Sequence, residues 1–255
     1  MGVSMSDPQW ILLWAVIAAG GVIKGAIGFA LPIFTVPFLS LFMGPREAVV
    51  LMSVPVLLAN LADVRWGLGE WRNLRRVAPY FAAGVLAVPF GVKFLHWGDP
   101  ETIRFLIGLA VFAFLAVRRF IAPMEHLSPG MRLGAGVSMG AAAGFLMGMA
   151  SLPGPVSIVY FSMFAWPKEV FIFVLSAFNS LASASQISSL ALGGNYAAAP
   201  LAQTILATLP VFLGYWAGLR IRGRLEQKLF NRLVSFVMFF IASSLVGRFL
   251  LRATL

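Results

Sequence analysis

The chain has 255 residues, of which 60% are hydrophobic and only 11% charged. Ordinary globular proteins hold roughly 45–50% and about 25%, and a soluble domain of this size could not bury so much apolar surface, so a soluble fold and disorder are both excluded. The net charge of +10, from 19 Lys+Arg against 9 Asp+Glu, lies mostly in short segments between apolar runs. No basic stripe with interleaved aromatics accompanies it, so it reads as the Lys/Arg excess beside a bilayer and not as a nucleic-acid surface.

In chain order, the segment before Lys24 carries Asp7 but no Lys or Arg. It lacks the basic region of a cleaved signal, and the stretch from Trp10 reads as a retained membrane segment. Gln9 to Met43 is apolar apart from Lys24, too long for one crossing of about 20 residues and short for two with a turn. Gly25, Gly28 and Pro32 interrupt it, and Gly and Pro break helices. The run therefore reads as a helical hairpin whose tip stops inside the membrane. Three single crossings follow: Ala48 to Val64, Val77 to Leu95 and Thr102 to Val117. Leu133 to Trp166 then repeats the first pattern, uncharged and interrupted by Gly148, Pro153, Gly154 and Pro155. Val170 to Leu192, Tyr196 to Leu219 and Leu233 to Gly247 complete the set. Several spans are short, so Lys93, Arg104, Arg118, Arg232 and Arg248 must snorkel at their ends. Trp66, Trp71, Trp97, Trp166, Tyr196 and Trp216 fall near boundaries, where such rings concentrate.

An internal repeat is visible. Pro45-Arg46-Glu47 returns as Pro167-Lys168-Glu169, Leu31-Pro32 as Leu152-Pro153, and Gly69 with Trp71 as Gly194 with Tyr196. Each half, 9–121 and 130–250, is a broken hairpin followed by three crossings. Arg65, Arg72, Arg75 and Arg76 fill one loop of the first half, while its counterpart, Gly193 to Asn195, is uncharged. Arg220 to Arg232 is basic, while its counterpart, His96 to Glu101, has no Lys or Arg. With these loops and Arg118 to Arg132 on the cytoplasmic side, equivalent loops face opposite ways. The fold expected is all-α, a polytopic membrane protein of two inverted-topology repeats, an arrangement that recurs in secondary transporters. Both termini then lie outside, against which Arg248 and Arg252 weigh modestly.

Irregular backbone at membrane depth must be buried in protein or line a wet cavity. Two breaks related by inversion should meet near the midplane. Helices restarting after Pro32 and after Pro155 offer free N–H groups and positive dipole ends, each equivalent to about +0.5 charge, which suits a small anion. Lys24 is either an electrostatic partner for that anion or a side chain that snorkels from a fully spanning limb. On the first reading, Lys24→Ala or Lys24→Leu abolishes anion flux in a folded protein. In Val170 to Leu192, steps of three and four residues put Ser176, Asn179, Ser180, Ser183 and Gln186 on one face. That face is a hydrogen-bonding wall or a small-residue packing surface. Asn179 and Gln186 are the better site candidates, since amides are bulky for packing alone; Ser53 and Asn60 are weaker ones.

The chain has no cysteine. His96 and His126 lack spaced partners, Gly25-Ala26-Ile27-Gly28 follows no strand and lacks the third glycine of a dinucleotide loop, and no HExxH or deep carboxylate pair occurs. No catalytic residue, metal or cofactor is expected. The candidate site is Lys24, Gly28, Pro32, Pro153, Gly154, Pro155, Asn179 and Gln186. A carrier of a cation or neutral solute in the same fold, and a membrane subunit without cargo, remain as alternatives. The nearest acid to the interior is Asp63.

The duplicated layout resembles the TauE/SafE family of membrane permeases over roughly Trp10 to Arg248. The likeness rests on a Gly/Pro-broken hairpin, a Pro-Arg-Glu or Pro-Lys-Glu turn, a Ser-containing helix, and in the first half the loop Gly69-Glu70-Trp71-Arg72. The resemblance implies a permease of the bacterial inner membrane that exports sulfite, sulfonates or related small anions. The partners expected are that anion and the lipid bilayer, with no nucleic acid; a homodimer is left open.

Overall fold

The computed structural model describes residues 7–66, 68–117, 128–221 and 227–253. These are helical almost throughout and contain no strand. The loop Arg118 to Arg132, apart from its last residues, much of Arg220 to Arg232, and His126 lie outside the described residues. In order, the helices of the first half are α1 (Asp7–Ile27), α2 (Leu31–Leu39), α3 (Pro45–Trp66), α4 (Ala78–Trp97) and α5 (Pro100–Val117), with the 3-10 segment Leu68–Val77 leading into α4. The second half has α6 (Pro129–Ala150), α7 (Gly154–Ser162), α8 (Lys168–Leu192), α9 (Ala198–Leu206), α10 (Thr208–Ile221) and α11 (Gln227–Ala253).

Seven segments are long and apolar enough to cross a bilayer: Trp10–Ile27, Pro45–Arg65, Gly69–Trp97, Gly130–Ala150, Lys168–Leu192, Pro200–Ile221 and Ser235–Arg252. The chain is a multi-pass membrane protein. α5, also expected as a crossing, is not among the seven and packs along α11. α2 and α7 have nine residues each. At 1.5 Å per residue such a helix covers about 14 Å, less than half of a core of roughly 30 Å. Each hairpin thus joins one limb long enough to span the core to one that covers less than half of it.

Three details differ from the sequence reading. The short limbs start at Leu31 and Gly154, so Pro32 and Pro155 sit inside their first turns. Proline is at home there, because the first-turn N–H groups have no partner within the helix. The crossing from Tyr196 to Leu219 is divided at Ala207 into α9 and α10. Pro210 has no N–H for the carbonyl of Leu206, four residues earlier. Arg104 also has a different role. Its guanidinium pairs with Glu101 and donates to the carbonyls of Ser40 (2.9 Å) and Met43 (3.3 Å), closing the turn that follows α2.

Two helix pairs form the tightest seams, α1 with α10 and α4 with α6. Glycines make both. A Cβ on Gly21 or Gly25 would overlap the carbonyls of Val211 or Tyr215, and one on Gly214 or Gly218 those of Ala18 or Val22. On the other seam, Gly91, Gly144 and Gly148 face the carbonyls of Phe145, Gly84 and Val88. In lipid, where hydrophobic association gives helices no advantage, close backbone approach supplies the packing energy. The most extensive helix pairings keep their pattern when α1, α2, α3, α4 and α5 are exchanged with α6, α7, α8, α10 and α11. α1–α10 becomes α6–α4, α2–α11 becomes α7–α5, and α3–α8 and α5–α11 map onto themselves.

Gly144→Val should lower the melting temperature of the detergent-solubilised protein by the equivalent of about 1–3 kcal/mol, the usual cost of overpacking. Gly134→Ala, at a position with nothing within 4 Å, should change stability by no more than about 0.5 kcal/mol.

Candidate functional site

Each break is built from an unusual backbone turn. α1 ends at Ile27, and the chain turns through Gly28 (φ 91°) and Ala30 (φ 79°) before α2. A left-handed alanine is uncommon and is held here by its surroundings. α6 ends at Ala150, its cap Ser151 is also left-handed at φ 55°, and Leu152 N–H returns to the carbonyl of Leu146 at 3.2 Å. Neither Ala30 nor Pro153, the residues that precede the short limbs, makes a side-chain cap. The first-turn N–H groups of α2 and α7 are left for whatever lies in front of them.

The two halves secure their breaks differently. In the second, the fully buried Gln186 of α8 donates through Nε2 to the carbonyl of Met147 (2.5 Å) and to Ser151 Oγ (3.0 Å), and Ser151 Oγ donates back to Gln186 Oε1 (3.2 Å). Tyr80 Oη meets Ser157 Oγ at 2.7 Å, and its ring stacks on Tyr160 with centroids 4.5 Å apart, fixing α7. In the first half the tie is ionic. Lys24, in the last turn of α1, is 2% exposed. Its Nζ lies 2.7 Å from Asp63 Oδ2 and donates to Asn60 Oδ1 at 2.8 Å. Tyr215 of α10 donates to Asp63 Oδ1 at 2.6 Å, and Ser176 of α8 to Oδ2 at 3.4 Å. The glycine seam between α1 and α10 brings Tyr215 close enough to do this.

Lys24 therefore does not snorkel, and it is not an isolated cation. Asp63, which the sequence places at the end of a crossing, is 8% exposed and neutralises it. This changes the expectation for Lys24→Leu, which strands a buried carboxylate.

The tips of the two hairpins meet, and the side chain of Ile33 occupies the space that a Cβ on Gly154 would take. Between them is a cavity with about 20 Å³ open to the centre of a water-sized sphere, room for about one water,. Of the sequence candidates, Lys24, Gly28, Pro32, Pro153, Gly154 and Asn179 line it, with Asn60 and Ser176 beside them. Pro155 and Gln186 are not in its lining; Gln186 acts behind it, on the second break. Asn179 Oδ1 is buried without a hydrogen-bond partner, as is Ser183 Oγ one turn further along α8. Ser53 lies elsewhere, 2.6 Å from Tyr196 Oη.

Sequence reasoning missed Asp63 and Tyr215. The signal for Asp63 was available, because a lysine far from any loop needs a counter-ion and the nearest acid along the crossings is Asp63. Tyr215 has no such signal, since its reach depends on how closely α1 and α10 approach.

Half-span limbs converging on a polar centre, inside a multi-pass helical protein, are the architecture of a membrane carrier. The chain belongs to the sulfite exporter TauE/SafE family, whose model matches residues 12–245, and it is a membrane transporter of that family. Comparison with curated proteins and with solved structures gives no match.

Lys24→Leu or Asp63→Leu alone should destabilise the protein by about 3–5 kcal/mol, the cost of an unpaired buried charge, while the double variant should recover most of the loss. Thermal unfolding followed by size-exclusion fluorescence in detergent would measure both.

Proposed function

We propose that the protein carries a small oxyanion, such as sulfite or a sulfonate, across the bacterial inner membrane by alternating access, with the cavity between the hairpin tips as its binding site. The observation that carries this reading is the convergence of two uncapped helix N-termini on one cavity that Lys24 and Asn179, whose Nδ2 can donate, also line. The two termini together present about +1 of partial charge, beside an ion pair of no net charge. That balance favours an anion held weakly enough to leave. The cavity is smaller than its cargo, so cargo enters as the tips part.

The orientation proposed places halves 9–121 and 130–250 in inverted topology, with the basic loops in the cytoplasm and the cargo exported. His96 and Asn195, from the two loops without Lys or Arg, share a hydrogen bond of 2.9 Å, which supports placing those loops on one side. The chain has no cysteine, so single substitutions report sidedness directly. Trp97→Cys should react with an impermeant maleimide from the periplasm, and Arg72→Cys from the cytoplasm.

In proteoliposomes, wild-type protein should move radiolabelled sulfite. Asn179→Leu should reduce that flux at least about tenfold, a transition-state loss of about 1.4 kcal/mol. Its melting temperature should stay near wild type, because the amide oxygen has no partner to lose. Undiminished flux in Asn179→Leu would remove this wall of α8 from the cargo path.

A further inference from the structure

Holding an anion does not explain Asp63. A carboxylate 2.7 Å from Lys24, the cation that lines the cavity, occupies the place that cargo would take. With cargo on Lys24 and Asp63 still ionised, two negative charges would share one positive charge in a buried site. The low dielectric makes that arrangement costly. The groups facing Asp63 are Lys24 from α1, Tyr215 from α10, Ser176 from α8 and, one turn earlier on α3, Asn60 beside Lys24. Lys24 is the single charged group among them. Tyr215 and Ser176 are neutral donors and can hold either form of the acid, because a protonated carboxyl keeps one oxygen free to accept and gains one O–H to donate.

We propose that Asp63 is the site that couples transport to protons, so that one anion and one proton cross together. This rests on the reading of the cavity as an anion site. As cargo enters, Lys24 keeps its protons and turns from Asp63 Oδ2 to a cargo oxygen. The Asp63 carboxylate takes one proton from water on the side of entry and becomes a neutral acid, still accepting from Tyr215 at Oδ1. On the far side the anion leaves, Lys24 returns to Asp63, and the proton passes to water there. Each turn moves a monoanion and a proton, and no net charge. Outward transport then runs on the concentration excess of the cargo, against any inward pH gradient, and is not pushed by the membrane potential.

The test uses the full chain in proteoliposomes with a pH dye in the lumen. Methanesulfonate is the first probe, because it keeps a single negative charge at every working pH and any proton entering with it is carried by the protein. Lumenal acidification should accompany its entry. An external pH lower by about one unit should concentrate it inside about tenfold, the ratio that one proton per anion sets. A potassium diffusion potential should have no effect. Sulfite is the second probe, read as the difference between wild type and Asp63→Asn, since protons brought by the ion itself are common to both. In Asp63→Asn the extra proton should vanish and flux should follow the potential. Anion flux that follows the potential in wild type, or the same proton-to-anion ratio in both proteins, would overturn the coupling and leave the transport reading intact. Absence of flux for both anions under every gradient would overturn the two together. Should Asp63→Asn fail to fold, the wild-type dye measurement decides alone.

Discussion

A lysine cannot stand alone in hydrocarbon, and much of the centre of this molecule follows from that. Lys24 is buried in the last turn of α1, so an acid must reach it. The acid sits on α3, its second oxygen is held from α10, and a serine of α8 adds a third donor. Four helices from both halves are thereby tied to one point. The pair contributes less through its own attraction than through the penalty for separating it, because each ion without the other is a bare charge in a medium of low dielectric.

The two halves solve one problem with different chemistry. A helix interrupted inside a membrane leaves carbonyls and N–H groups without partners. In the second half, the end of α6 is tied to α8 through Gln186, a neutral amide that donates to the carbonyl of Met147 beside the backbone bond from Ser151 N–H. In the first, the end of α1 is tied to α3 through an ion pair. Both ties join the last turn of a full-span limb to the long helix that follows its hairpin. One tie is made of charged groups and the other of a neutral amide, so a fold of near-symmetric layout is chemically lopsided.

Much of this was legible in the sequence because the signals were local. Apolar run length, the glycines and prolines inside the two longest runs, and three-and-four spacing on α8 give the helices, the breaks and the polar face. What stayed hidden was set by approach between distant segments. The spacing of Gly140, Gly144 and Gly148, and of Gly214 and Gly218, is visible in the chain, but which helix each row meets is decided by the fold. Asp63 looked like a boundary residue because it precedes Arg65, and burial reassigns it. Gln186 looked like a cargo ligand because an amide is bulky for packing alone, yet its hydrogen bonds go to backbone and to Ser151.

The glycine seams also determine which parts can travel as units. Each joins a helix of one half to a helix of the other, α1 to α10 and α4 to α6, with backbone against backbone. Pulling the halves apart as two blocks would unzip both rails at once. Any bodies that move with both rails intact are mixed assemblies, each drawn from both ends of the chain.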